Sequence, residues 1–204
     1  MKQTEKSAIA RARILDVTIE LLASRGYAAT SVQAAARAGD IRLATLQHHF
    51  PSKVDLMAAV VERYSRNTLE QFRVGLRGIT GPRDRLYRMM EIAWSVSQTP
   101  ELQASSEIAL ARRADPGLIA ATDPIYRYFD NVTRRWVLGL ARQAGLDLTL
   151  ASKLHELNNS VHSGLVLRRA AGSSPGELET IARFWREVAA PFLTPGPPAN
   201  SLSQ

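Results

Sequence analysis

The chain has 204 residues, 45% of them apolar, enough to bury a substantial core in one large domain or in a small domain joined to a larger one. It contains no cysteine, which excludes disulfides and thiolate metal sites and permits a reducing cytoplasm. The net charge of +7 permits a polyanionic partner without identifying one, because residues 1–64 carry nine Lys/Arg against six Asp/Glu and residues 65–204 seventeen against thirteen.

The first residues, MKQTEKSAIARARILD, are charged and lack the apolar run of a signal peptide. No stretch approaches 18 uninterrupted apolar residues, so the expectation is a soluble, cytoplasmic protein with no membrane partner. Helical periodicity runs almost throughout and strand-like alternation is absent, which makes the expected fold class all-α. The segment 7–24 carries the apolar lines Ile14, Val17, Leu21 and Leu15, Ile19, Leu22 on one broad face, and Gly26 ends it where a left-handed residue is needed. Thr30 or Ser31 caps the next helix, about 31–38, and Thr30 with Gln33 fits the spacing of a capping box. Gly39 supplies a turn, and a second short helix runs from about Arg42 to His49. Pro51 stops it, because the residue before a proline is pushed out of the helical region. Ser52 caps a longer helix from Lys53 to about Val74.

Residues 75–82, GLRGITGP, form a loop. Beyond it the pattern predicts helices near 83–98, 101–113, 117–144, 148–171 and 176–192, with Pro124 kinking or splitting the third of these. The tail 194–204 is rich in Pro, Ser and Asn and is expected to be disordered. No internal repeat is present.

Two short helices across a glycine turn, held between two longer ones, make a helix-turn-helix at about 30–50. Such a unit presents a small helix to the major groove, with its free face on base edges. Ala35, Ala38 and Gly39 allow close approach, and Leu46 with Phe50 would anchor the second short helix. Arg42, Leu43, Thr45, Gln47 and His48 would then face outward, where Arg and Gln can contact guanine and adenine in a bidentate manner and a Thr methyl suits thymine. Thr30, Ser31 and Lys53 sit at helix N-termini, where free N–H groups favour phosphate. Each of these has a plainer alternative: a cap is often only a cap, and a lone lysine is often only solvated.

Residues 9–56 resemble the N-terminal domain of tetracycline-repressor-type (TetR family) transcriptional regulators. The resemblance rests on Arg25-Gly26-Tyr27, Thr30-Ser31, Ala38-Gly39, Leu46-Gln47-His48-His49-Phe50 and Ser52-Lys53-Val54-Asp55-Leu56. Three positions depart from the family pattern. Gln47 stands where a phosphate-contacting Tyr is usual, Ala34 where an Ile is usual, and Asp40 lengthens the turn by one residue. An acidic side chain near phosphate is unfavourable, so Asp40 is expected to point away or to cap the recognition helix.

The resemblance implies a DNA-binding domain at 1–52 and an all-helical ligand-binding and dimerisation domain at 53–193. It further implies a homodimer joined through the last two long helices, a small-molecule inducer, and no cofactor. Leu154, Leu157, Val161, Leu165, Ile181, Trp185, Val188 and Phe192 are the candidate dimer residues, although the same stripes could pack only within one monomer. Trp94, Gln98, Tyr128, Trp136, His155, Asn158 and His162 are the candidate pocket residues, with a hydrogen-bonded core or a polar dimer rim as the alternative. His155 and His162 lie two turns apart without further ligands nearby, so no metal site is expected.

The function expected is a sequence-specific regulator of transcription that binds double-stranded DNA, a repressor released from a near-palindromic operator by a small molecule. An enzyme is not expected, since the chain lacks a nucleophile elbow, a phosphate-binding glycine loop, a Cys–His pair and clustered metal ligands. A helical interaction protein with a vestigial helix-turn-helix is the alternative, and it predicts little salt-dependent DNA affinity.

Overall fold

The computed structural model describes residues 3–193, all-α and without a strand among them. The tail 194–204, expected to be disordered, lies outside the described residues. The helices are α1 (Gln3–Ala29), α2 (Val32–Ala38), α3 (Leu43–His49), α4 (Lys53–Gly75), α5 (Pro82–Ser97), α6 (Pro100–Ala111), α7 (Pro116–Gln143), α8 (Leu148–Ala170) and α9 (Pro175–Leu193). A single 3-10 turn, Arg112–Ala114, follows α6. Four helices open on a proline, which fits the first turn because its missing N–H has no helical partner there.

The helices compact into two units. One takes the described residues through Asn67 together with Thr99–Phe129, and the other takes Thr68–Gln98 with the described residues from Asp130 onward. In the first, the predicted stripe of α1 is the core: Ile14, Leu15, Ile19, Leu21 and Leu22 are buried against Val32, Leu46, Phe50, Leu56, Val60 and Ile108. In the second, Trp94, Leu165, Leu178 and Ala182 are buried together, with Val161 and Ile181 packed on them.

Several local details differ from the sequence reading. At Gly26 (φ 77, ψ 174) the backbone leaves the helical region, yet the chain continues in helical turns to Ala29. The capping box of Thr30 with Gln33 does not form. Ser31 is the cap, its Oγ accepting from the Ala34 N–H at 3.0 Å. A capping box forms instead at α4, where Ser52 Oγ accepts from the Asp55 N–H at 3.1 Å and Asp55 Oδ2 accepts from the Ser52 N–H at 3.0 Å. Pro124 does not split α7, which runs through it.

Candidate functional site

The turn between α2 and α3 sets how the two short helices meet. Gly39 has a right-handed backbone (φ −87), so its value is space: a Cβ there would lie 2.8 Å from Ile41 Cδ1. The left-handed residue is the additional one, Asp40 (φ 49), a conformation that a short polar side chain tolerates. Asp40 does not cap α3. Arg42 holds the N-cap position, and no side chain closes it. An extra residue is thus absorbed as one left-handed step, and the Ile41 N–H still reaches the Ala36 carbonyl at 2.9 Å.

Leu46 is fully buried and Phe50 nearly so, which fixes the rotation of α3 about its axis. With that face inward, Arg42, Leu43, Thr45, Gln47 and His48 are all exposed, together with Ala44. The expected reading residues are therefore all accessible, four on one short helix and Arg42 at its N-cap. Gln33 and Arg37 on α2, outside the expected set, are exposed and with Ala36, Asp40, Ile41 and Leu43 line an open hollow beside α3. The signal was available: Ala35 and Ala36 are the inward residues of α2, so the charge next to them must point out.

The three candidates for phosphate have different fates. Ser31 is half-buried and serves its own helix. Thr30 is placed inside, fully buried, its Oγ1 donating to the Gly26 carbonyl at 2.8 Å, so it shapes the turn after α1 and presents nothing to solvent. Lys53 is half-buried, its Nζ donating to the Tyr27 carbonyl at 2.9 Å and lying 3.8 Å from the centroid of the Tyr27 ring. Burial holds the Lys53 pKa below the usual lysine value, with Asp115 opposing. At the end of α3 the rings of His48 and His49 meet edge-on at 5.5 Å. Burial, then His48 and Arg11, hold His49 below the ordinary histidine value, so it is largely neutral near pH 7.

The end of α1 is gripped by α6. Glu107 Oε2 accepts from the Tyr27 N–H at 3.2 Å, and Gln103 Nε2 donates to the Ala23 carbonyl at 2.7 Å. These bonds fix the Gly26 turn that leads into α2.

The candidate pocket residues are divided between the two compact units. Tyr128 belongs to the first compact unit and is mostly exposed, while the other six belong to the second. Gln98 is exposed at the end of α5, and Trp136 meets Phe72 edge-on at 6.5 Å. Trp94 is buried in the apolar cluster. His155 faces Asp130 with Nε2 to Oδ1 at 3.6 Å, and Asn158 Oδ1 accepts from Trp185 Nε1 at 2.9 Å. His162 is buried beside them in sequence register and has its pKa pushed down to about 4 by burial and the charge of Arg186.

Of the candidate dimer residues, Leu165 and Trp185 are buried within this chain, so they belong to its own core. Leu157, Val188 and Phe192 are exposed, and Leu154, Val161 and Ile181 are half-buried. Phe184 and Leu150, outside the expected set, are exposed as well. Among the described residues no helix is long and apolar enough to cross a membrane, and no group of three His, Cys, Asp or Glu is placed to hold a metal ion.

The model of the bacterial regulatory proteins of the tetR family matches residues 14–60, which span the last part of the first helix through the start of the fourth. The HTH-type transcriptional repressor KstR of Rhodococcus jostii (strain RHA1) is 31% identical over 129 residues, covering 61% of this chain. The match takes in 58% of that repressor's length, so this chain spans well under two thirds of it. Among solved structures, a TetR transcriptional regulator from Chloroflexus aurantiacus has a TM-score of 0.74 over 91% of this chain and 96% of its own, at 19% identity. The multidrug binding protein EbrR, complexed with imidazole, has a TM-score of 0.63 over 93% of this chain and 97% of its own, at 21% identity. At such identities the structural likeness carries the fold alone.

Proposed function

This chain belongs to the tetR family of bacterial regulatory proteins, and on that premise we propose that it is a sequence-specific DNA-binding regulator of transcription, a repressor released by a small-molecule ligand. The observation that carries the reading is the outward row of α3. Arg42, Leu43, Thr45, Gln47 and His48 are free for base edges because Leu46 and Phe50 hold the opposite face in the core. Gln33 and Arg37 of α2 add contacts beside the groove. Ser31 and the start of α4 meet the phosphates, and Thr30 supports the turn. The functional division lies at 52/53, with residues 53–193 as the ligand-binding and dimerisation part.

A homodimer, joined through the exposed apolar rows of α8 and α9, sets two recognition helices about one DNA turn apart, roughly 34–36 Å, on a near-palindromic operator in the cytoplasm. A ligand that prefers a differently spaced dimer releases DNA by population shift, and its preference between the two states must be on the order of several kcal/mol. The reading gives no role to catalysis, in line with relatives that are regulators.

Selection of bound DNA from a random duplex pool, repeated at two salt concentrations, tests this. An enriched near-palindrome whose affinity falls steeply with salt is expected. Binding without enrichment would remove the operator and favour a helical interaction protein.

A further inference from the structure

The inner face of α8 carries His155, Asn158 and His162 at steps of three and four, so the three side chains lie along one line in the second compact unit. The fold accounts for two of them. His155 Nε2 faces Asp130 Oδ1 at 3.6 Å and lies 3.4 Å from the Asn159 amide, and Asn158 accepts from Trp185. His162 differs. It is only 8% exposed, and neither Nδ1 nor Nε2 has a hydrogen-bond partner among the described residues.

A neutral imidazole offers one N–H donor and one acceptor, and burying both unpaired costs free energy at each. Packing does not ask for this, since an apolar ring of the same size would fill the place without that cost. One turn along, Leu165 lies in the apolar cluster with Trp94, Leu178 and Ala182. The charge that acts on His162 is the guanidinium of Arg186 on α9, itself bonded to Glu179 at 3.3 Å. His162 is therefore a neutral donor–acceptor ring one turn from an apolar cluster, and the charge that acts on it belongs to an ion pair.

We infer that His162 is the polar anchor of the effector site, which takes an apolar molecule bearing a neutral or anionic oxygen group: a hydroxyl, a carbonyl or a carboxylate. This rests on the proposed ligand-responsive role and gives that role a ligand class. An oxygen group accepts from the imidazole N–H, and a hydroxyl satisfies both ring nitrogens. A quaternary ammonium neither donates nor accepts a hydrogen bond, so it leaves both ring nitrogens unpaired.

The test uses the full chain without DNA and reads tryptophan fluorescence during titration with 1-octanol, octanoate and octyltrimethylammonium, which share a chain length and differ in the head group. The alcohol and the carboxylate are expected to bind at least about tenfold more tightly than the quaternary ammonium. His162→Phe should shrink that preference to under about twofold, whereas His162→Gln, which keeps a donor and an acceptor, should retain most of it. Equal binding of all three probes overturns the inference. So does an absence of saturable binding by the alcohol and the carboxylate, or a preference untouched by His162→Phe. Because no DNA enters the measurement, its failure leaves operator binding standing, and a failed DNA selection leaves this result standing.

Discussion

Gly26 bends the chain out of α1 with φ 77 and ψ 174, a combination open almost only to glycine. A Cβ there would also stand 3.0 Å from Glu107 Oε2. Gly26→Ala is expected to destabilise the protein by about 1–3 kcal/mol, read as a lower denaturant midpoint at unchanged slope. An unchanged midpoint would mean that the turn can relax at no cost. Lys53 and Gln47 separate holding the domain from reading DNA. The Lys53 ammonium holds the Tyr27 carbonyl and ring, so Lys53→Ala should lower stability by about 1–2 kcal/mol and weaken binding to every DNA sequence alike. Gln47 is exposed, so Gln47→Ala should leave the unfolding midpoint in place and change which bases are selected. Equal, uniform losses from both would sink the division between positioning and reading.

Two side chains on α6, four residues apart, take hold of the backbone at the end of α1: Gln103 at Ala23 and Glu107 at Tyr27. The helix that leads into the recognition unit is therefore fastened by a distant stretch of sequence. Glu107→Ala should cost about 1–2 kcal/mol and reduce DNA affinity, while Glu107→Gln keeps an acceptor and should recover most of both. Thermal melts and binding isotherms of the pair decide it, and a fully normal Glu107→Ala would show that α6 merely lies alongside. This fastening was not legible in the sequence, because a Glu 80 residues away from its N–H partner leaves no local pattern. The helices themselves were legible to within a few residues, since apolar steps of three and four are bounded by Gly26, Gly39, Pro51 and the opening prolines of α5, α6, α7 and α9. So was the orientation of α3, once Leu46 and Phe50 were taken as its inward pair. Thr30 and Lys53 turned out to serve the fold because a residue at a helix start looks the same in sequence whether its side chain meets an anion or the neighbouring backbone. Asp40 took the left-handed step for a comparable reason: one inserted residue forces such a step, and the sequence offered the adjacent glycine as the more obvious place.

At the scale of the molecule, acid and dissociation are the two stresses that the charge and apolar patterns anticipate. His162, with its folded pKa lowered from 6.5 to about 4, stays neutral in the fold and takes a proton once unfolded. The unfolded state thus binds more protons between those values, and stability must fall as pH drops from about 6.5 to about 4. His155 and His49, also shifted down, act in the same direction. Urea midpoints should therefore decline across that window, and His162→Phe should flatten the decline; an unaltered slope would place the acid sensitivity elsewhere. Dissociation concerns the two sides of α8 and α9. Leu165 and Trp185 face the chain's own core, whereas Phe184, Val188 and Phe192 on α9 and Leu157 on α8 leave apolar surface exposed. On α9 they recur every four residues, the spacing of a single helix face that a partner would cover. The two sides predict separable variants. Leu165→Ala removes packed atoms and should cost about 2–5 kcal/mol at any protein concentration. The double change Phe184→Asp with Val188→Asp places charge on the exposed row, where it should leave helical content intact, turn the sedimenting species into a monomer and abolish tight operator binding, because one recognition helix alone spans only a half-site. If that variant still sediments as a dimer, the partner lies on another face, and the spacing of the two recognition helices must be set from there.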